Sequence, residues 1–84
     1  MLKKRVEEIL NEQLNREFYS AYLYLSMSAY FDSTDLPGFA HHMKVQYQEE
    51  MAHAIRIFNY LSNVGGRVEL KAIAQPKNVW NGII

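Results

Sequence analysis

Asp32-Ser33-Thr34-Asp35-Leu36-Pro37 is the stretch on which the fold turns. It separates two long runs of helical periodicity. Its side chains offer several oxygens able to cap a helix N-terminus, and Pro37 fits the first turn of such a helix, where a missing N–H costs nothing. Upstream, Leu2, Val6, Ile9, Leu10, Leu14, Phe18, Ala21, Leu25 and Ser28 recur at steps of three and four, the period of one helical face. That spacing predicts a first helix over about residues 2–31. Downstream, Phe39, Met43, Gln46, Glu50, His53, Ile57, Tyr60 and Leu61 keep the same period and predict a second helix over about 36–63. Gly65-Gly66 ends it, because glycine readily takes the left-handed conformation on which helices stop. A linker of about four residues between two such helices requires an antiparallel αα-hairpin, so the fold class is all-α.

From Phe18 to Tyr30 apolar and aromatic residues spread around the whole helix circumference, which predicts burial on more than one side and hence a second contact partner. After Gly65-Gly66 the chain changes character. Val68, Leu70 and Ile73 alternate with polar residues before Pro76, Trp80 and Gly82, so residues 65–84 are expected to form an extended segment lying on the surface of the 1–64 hairpin.

The chain has 84 residues, nearly half of them apolar, with six Tyr and four Phe, too hydrophobic for disorder. A lone hairpin nevertheless buries little area, and backbone entropy of roughly 1–2 kcal/mol per residue nearly cancels that burial. An oligomer is the expected remedy. Nine basic residues balance nine acidic ones, and Lys3-Lys4-Arg5 is the largest basic block, which argues against a nucleic-acid partner. Without cysteine there can be no disulfide, thiolate zinc site or iron–sulfur cluster, in keeping with a cytoplasmic location. No signal peptide and no membrane span are expected, since the apolar stretch Leu23–Ala29 is short and interrupted by polar groups.

The chemistry lies in Glu17 and in Glu50-x-x-His53. Glu17 falls on the apolar stripe of the first helix, where an isolated carboxylate is costly unless it is paired, protonated or metal-bound. A salt bridge or a place on the helix rim is the plainer reading of such a residue. Glu50 and His53 stand one turn apart on the second helix and can chelate one ion. Glu-x-x-His alone is a weak motif, but the register strengthens it. Glu17 lies about as far before the turn as Glu50 lies after it, so the three groups share one height along the hairpin. Carboxylate and imidazole converging between packed helices suit a transition metal, with iron the first candidate and zinc or another divalent ion able to substitute. Tyr24 lies two turns beyond Glu17 on the same side and is otherwise an aromatic packing residue. Gln46, one turn before Glu50, is a candidate for supporting it. Glu49 points away from Glu50, while His41 and His42 are expected to be surface or interface residues rather than ligands.

These residues also carry a resemblance. Glu17-Phe-Tyr-Ser-Ala-Tyr-Leu-Tyr-Leu-Ser-Met-Ser-Ala-Tyr-Phe-Asp32 resembles the first helix of ferritin subunits, and Gln48-Glu-Glu-Met-Ala-His53-Ala resembles their second-helix metal motif. Gly65-Gly-Arg-Val68 with Leu70, Ile73, Pro76 and Trp80 is similar to the long crossover that follows in non-haem ferritins of the prokaryotic type. The resemblance implies the N-terminal half of a four-helix bundle and a ferroxidase activity, in which O₂ oxidises Fe(II) at a di-iron site and the product is stored as mineral in a shell. By position in the motifs, it implies that Glu17 and His53 bind the first iron and that Glu50 bridges both. Tyr24 takes the place of a nearby tyrosine, and Glu49 that of a ligand to an accessory or transit iron. The chain stops where a third helix is expected, and the remaining carboxylates belong to that second half. A homodimer, or a larger shell built from it, is the expected route to a complete site. The alternatives are a ferritin fragment with a structural or assembly role, and a helical interaction scaffold.

Overall fold

The computed structural model describes residues 2–80, so the Gly82 end of the expected crossover lies outside the described residues. Two helices, α1 (Lys4–Ser33) and α2 (Pro37–Asn63), pack side by side as an antiparallel hairpin measuring 50 × 19 × 14 Å. α1 runs two residues past the expected stop at Phe31. No helix among the described residues is long and apolar enough to cross a membrane.

The turn works differently from the expected N-cap. α2 starts at Pro37 with Leu36 as its cap residue, and no side chain caps it. The hydroxyls instead serve the helix before the turn, with Ser33 and Thr34 both donating back to the carbonyl of Tyr30 (2.7 and 3.2 Å). The backbone closes α1 with Leu36 N–H donating to Phe31 C=O at 2.8 Å and Asp35 N–H to Asp32 C=O at 3.3 Å. This is the Schellman pattern, which needs one left-handed residue, and Asp35 supplies it with φ 60°. The end of α2 repeats the device, with Gly65 at φ 78° and Gly66 N–H donating to Leu61 C=O at 2.8 Å. Here the sequence provides the residue that takes the left-handed region without cost.

Leu14, Ala54 and Leu61 form the core, with Leu10, Phe18, Ile57 and Phe58 packed against them. Alanines at 21, 40 and 54 are buried at the helix contact, and Ser28 donates to Ala40 C=O at 2.7 Å across it. The apolar stripes read from the sequence are wider than this contact. Val6, Ile9, Phe39 and Tyr60 belong to them, yet each remains 39–50% exposed. One neighbouring helix cannot cover so broad a stripe.

Residues 64–80 contain neither helix nor strand and run along α1 from its N-terminal to its C-terminal end. Three polar residues at four-residue spacing hold the first part. Glu7 accepts from Arg67 N–H at 2.9 Å; Asn11 donates to Arg67 C=O at 2.9 Å and accepts from Glu69 N–H at 2.8 Å. Asn15 then donates to Glu69 C=O and accepts from Lys71 N–H, both at 2.9 Å. Four residues of helix rise about 6 Å and two extended residues about 6.6 Å, so the two periods nearly match. Farther along, Ser26 donates to Lys77 C=O at 2.7 Å, and Tyr30 donates its hydroxyl to Trp80 C=O at 2.8 Å with the two rings edge to face. The second contact expected for the Phe18–Tyr30 segment is thus met, on one side of α1, by the chain's own crossover.

Candidate metal centre

Glu17, Glu50 and His53 come together halfway along the hairpin. Glu50 is the middle residue of α2, and Glu17 lies within two residues of the middle of α1. One ligand atom from each lies within 4.8 Å of the others. His53 Nδ1 stands 3.5 Å from Glu17 Oε2 and 3.8 Å from Glu50 Oε1. Both separations exceed the 2.7–3.2 Å of an ordinary N–H···O bond. They are close to the roughly 3–3.5 Å between two atoms that each bind one ion at about 2.1 Å.

Two further observations fit a cation. The Glu17 and Glu50 side chains are only 16% and 21% exposed, whereas His53 is half exposed, so the site lies in a shallow recess open on one side. Glu17 Oε2 is buried with no hydrogen-bond donor. Such an atom is costly unless a proton or a cation meets it. Its companion Oε1 accepts from Gln13 Nε2 at 2.8 Å, which steadies the carboxylate one turn from the helix backbone that carries it.

The two carboxyls compete for one proton. Contact with the Glu50 carboxyl holds Glu17 below the ordinary glutamate range, opposed by burial and helped by Gln13 and His53. Contact with Glu17 and burial push Glu50 up, reinforced by the negative charges of Glu17 and Glu49 and opposed by His53. A cation bound between the two carboxylates would relieve this conflict.

The remaining sequence candidates lie outside the trio. Glu49 is exposed and acts on Glu50 through its charge. Tyr24 is half-buried, two turns along α1 from Glu17. His41 and His42 are exposed near the turn. Gln46 makes no hydrogen bond to the trio among the described residues; the amide that reaches Glu17 is that of Gln13. Its signal was present, since a Gln four residues before a Glu on a helix is a recognised hydrogen-bonding spacing.

A family model for the ferritin-like domain matches residues 7–84. The chain belongs to the ferritin-like family. Bacterial non-heme ferritins of Staphylococcus aureus (strain USA300) and Staphylococcus haemolyticus (strain JCSC1435) are each 37% identical to it over all 84 residues, which correspond to 51% of their length. Among solved structures, a humanized archaeal ferritin superposes with a TM-score of 0.95 at 47% identity, covering 99% of this chain and 50% of that one. An open pore ferritin from the hyperthermophilic archaeon Archaeoglobus fulgidus superposes with a TM-score of 0.94 at 48% identity, again over 99% and 51% of the two chains. This ferritin-like chain therefore spans about half the length of the relatives it matches, and its hairpin is half of their four-helix bundle.

Proposed function

We propose that the chain takes part in ferritin-type iron oxidation and storage in the cytoplasm, with Glu17, Glu50 and His53 forming its share of a di-iron carboxylate site for Fe(II) as substrate. The observation that carries this reading is the convergence of the three ligand atoms around an oxygen of Glu17 that no donor reaches. Carboxylates are hard, anionic ligands that favour the Fe(III) product, while a neutral imidazole accommodates incoming Fe(II). Two irons held side by side supply O₂ with an electron pair, one from each; with two protons this gives hydrogen peroxide. Glu17 and His53 would hold one iron and Glu50 would be shared with the second, while the Gln13 amide keeps Glu17 aimed. In this reading Tyr24, two turns along α1, would orient a carboxylate or supply an electron, and exposed Glu49 would help an accessory or transit iron position.

Fe(III) absorbance recorded after Fe(II) is added in air tests the reading. Replacing Glu50 and His53 together by Ala should slow the initial oxidation by at least the roughly 10–100-fold that follows loss of even an outer partner of a metal ligand. Because the chain matches only half the length of its relatives, a purely structural role within a larger assembly is the competing reading. It predicts the same oxidation rate in the double variant and the native chain.

A further inference from the structure

We infer that Gln13 is a positioning residue whose amide makes Glu17 the fixed ligand of the trio and leaves Glu50 as the one free to adjust; this rests on the metal-binding reading above. The chain holds two Gln–Glu pairs at the four-residue spacing that lets an amide reach a carboxylate on one helix face, Gln13 with Glu17 and Gln46 with Glu50. Only the first pair is joined. Gln13 Nε2 donates to Glu17 Oε1 at 2.8 Å, whereas Gln46 makes no hydrogen bond to Glu50 among the described residues.

That bond divides the work of the two Glu17 oxygens. Oε1 is held towards exposed Gln13, and Oε2 is turned inward, buried and 3.5 Å from His53 Nδ1. A carboxylate is planar, so fixing one oxygen and the torsions behind it fixes where the other points. An ionised carboxylate only accepts, so the amide faces it with its NH₂ group. The donor is also neutral. A Lys or Arg at this place would bond more strongly, but its charge would offset the negative charge that a cation needs from Glu17. The amide orients the carboxylate without taking over that charge, and its polar end makes no other hydrogen bond among the described residues. Glu50 has no such tether. Its Oε1 stands 3.8 Å from His53 Nδ1, and no donor from its own helix reaches it. A ligand ordered before the ion arrives loses no further side-chain freedom on binding, while an untethered one can follow the ion.

The test pairs NMR of the metal-free chain with Zn(II) titration, Zn(II) serving as a redox-inert probe. Gln13→Met keeps the side-chain length and removes the donor. Gln48→Met makes the same change at an exposed amide of α2 outside the site. In the metal-free native chain the Glu17 side chain should be more restricted than that of Glu50, with a through-hydrogen-bond coupling from Gln13 Nε2 to Glu17 Cδ. Gln13→Met should release Glu17 and weaken Zn(II) binding at least about tenfold, the scale typical for a partner behind a metal ligand. Helical circular dichroism should be kept, and the loss should be equal at low and high salt because no charge changes. Gln13→Lys should restore the restriction of Glu17 yet still weaken Zn(II), by a factor that shrinks as salt rises. Gln48→Met should alter neither motion nor affinity. Equal Zn(II) affinity in the native chain and Gln13→Met, or a native Glu17 as mobile as Glu50, would overturn the inference and leave the metal-binding reading standing. A native chain that takes up no Zn(II) overturns that reading and this inference with it.

Discussion

Glu17 presents a buried carboxylate oxygen that no donor reaches, next to a Glu50 whose carboxyl is pushed up chiefly by contact with Glu17. The raised group and the lowered one have opposite consequences for the metal-free hairpin. Glu17, held below its ordinary range, contributes stability above that range, which is lost as pH falls through its folded value. Glu50, held above its ordinary range, costs stability once ionised, and that cost disappears as pH falls through its raised value. Glu50→Gln removes the second charge and offers Glu17 an N–H donor. In the presence of a chelator it should therefore stabilise the hairpin near neutral pH by about 1 kcal/mol, the net worth of one hydrogen bond. The gain should fade as the solution is acidified through the raised Glu50 value. Urea unfolding at a series of pH values reads this directly, and a variant less stable than the native chain near neutral pH would contradict it. The charge conflict itself was legible beforehand, because Glu17 and Glu50 stand equally far from the turn. Which oxygen lacks a partner was not legible, since that depends on side-chain rotamers and on Gln13.

Helix positions followed from periodicity, and the hairpin from the short polar break. The helix ends and the crossover were less readable. Ser33, Thr34 and Asp35 are good N-cap residues by type, yet Ser33 and Thr34 bond back into α1 and Asp35 takes the left-handed turn position. The same oxygens can serve either helix, and only the turn geometry chooses between them. Residues 67–71 alternate like a strand but have no strand partner. Glu7, Asn11 and Asn15 satisfy their backbone groups instead, a stripe hidden in the sequence because Asn within a helix is normally just a poor helix former. Asn11 is 5% exposed and makes both a donor and an acceptor bond to the crossover. Asn11→Ala leaves Arg67 C=O and Glu69 N–H without partners and should cost about 1–3 kcal/mol. Hydrogen exchange at the Glu69 amide should rise with it, and unchanged protection there would show that the ladder does not hold the crossover.

At the level of the whole molecule, the hairpin is a surface-rich body. Leu14 and Leu61 are the only large side chains fully buried among the described residues. The apolar stripes on α1 and α2 are wider than the contact between them, and the trio lies on the uncovered side. That the chain is half of a bundle was legible from its length and from the half-set of ligands, and the match to half of each relative agrees. What covers the open side does not follow from an amphipathic pattern, which records that a face is apolar but not what meets it. The central claim, that Glu17, Glu50 and His53 bind iron, is tested most directly by anaerobic Fe(II) titration of the metal-free protein beside its Glu17→Ala/His53→Ala variant. Saturable Fe(II) binding by the native protein, abolished in the variant, is the predicted result. Equal Fe(II) binding by the native chain and the variant would contradict it.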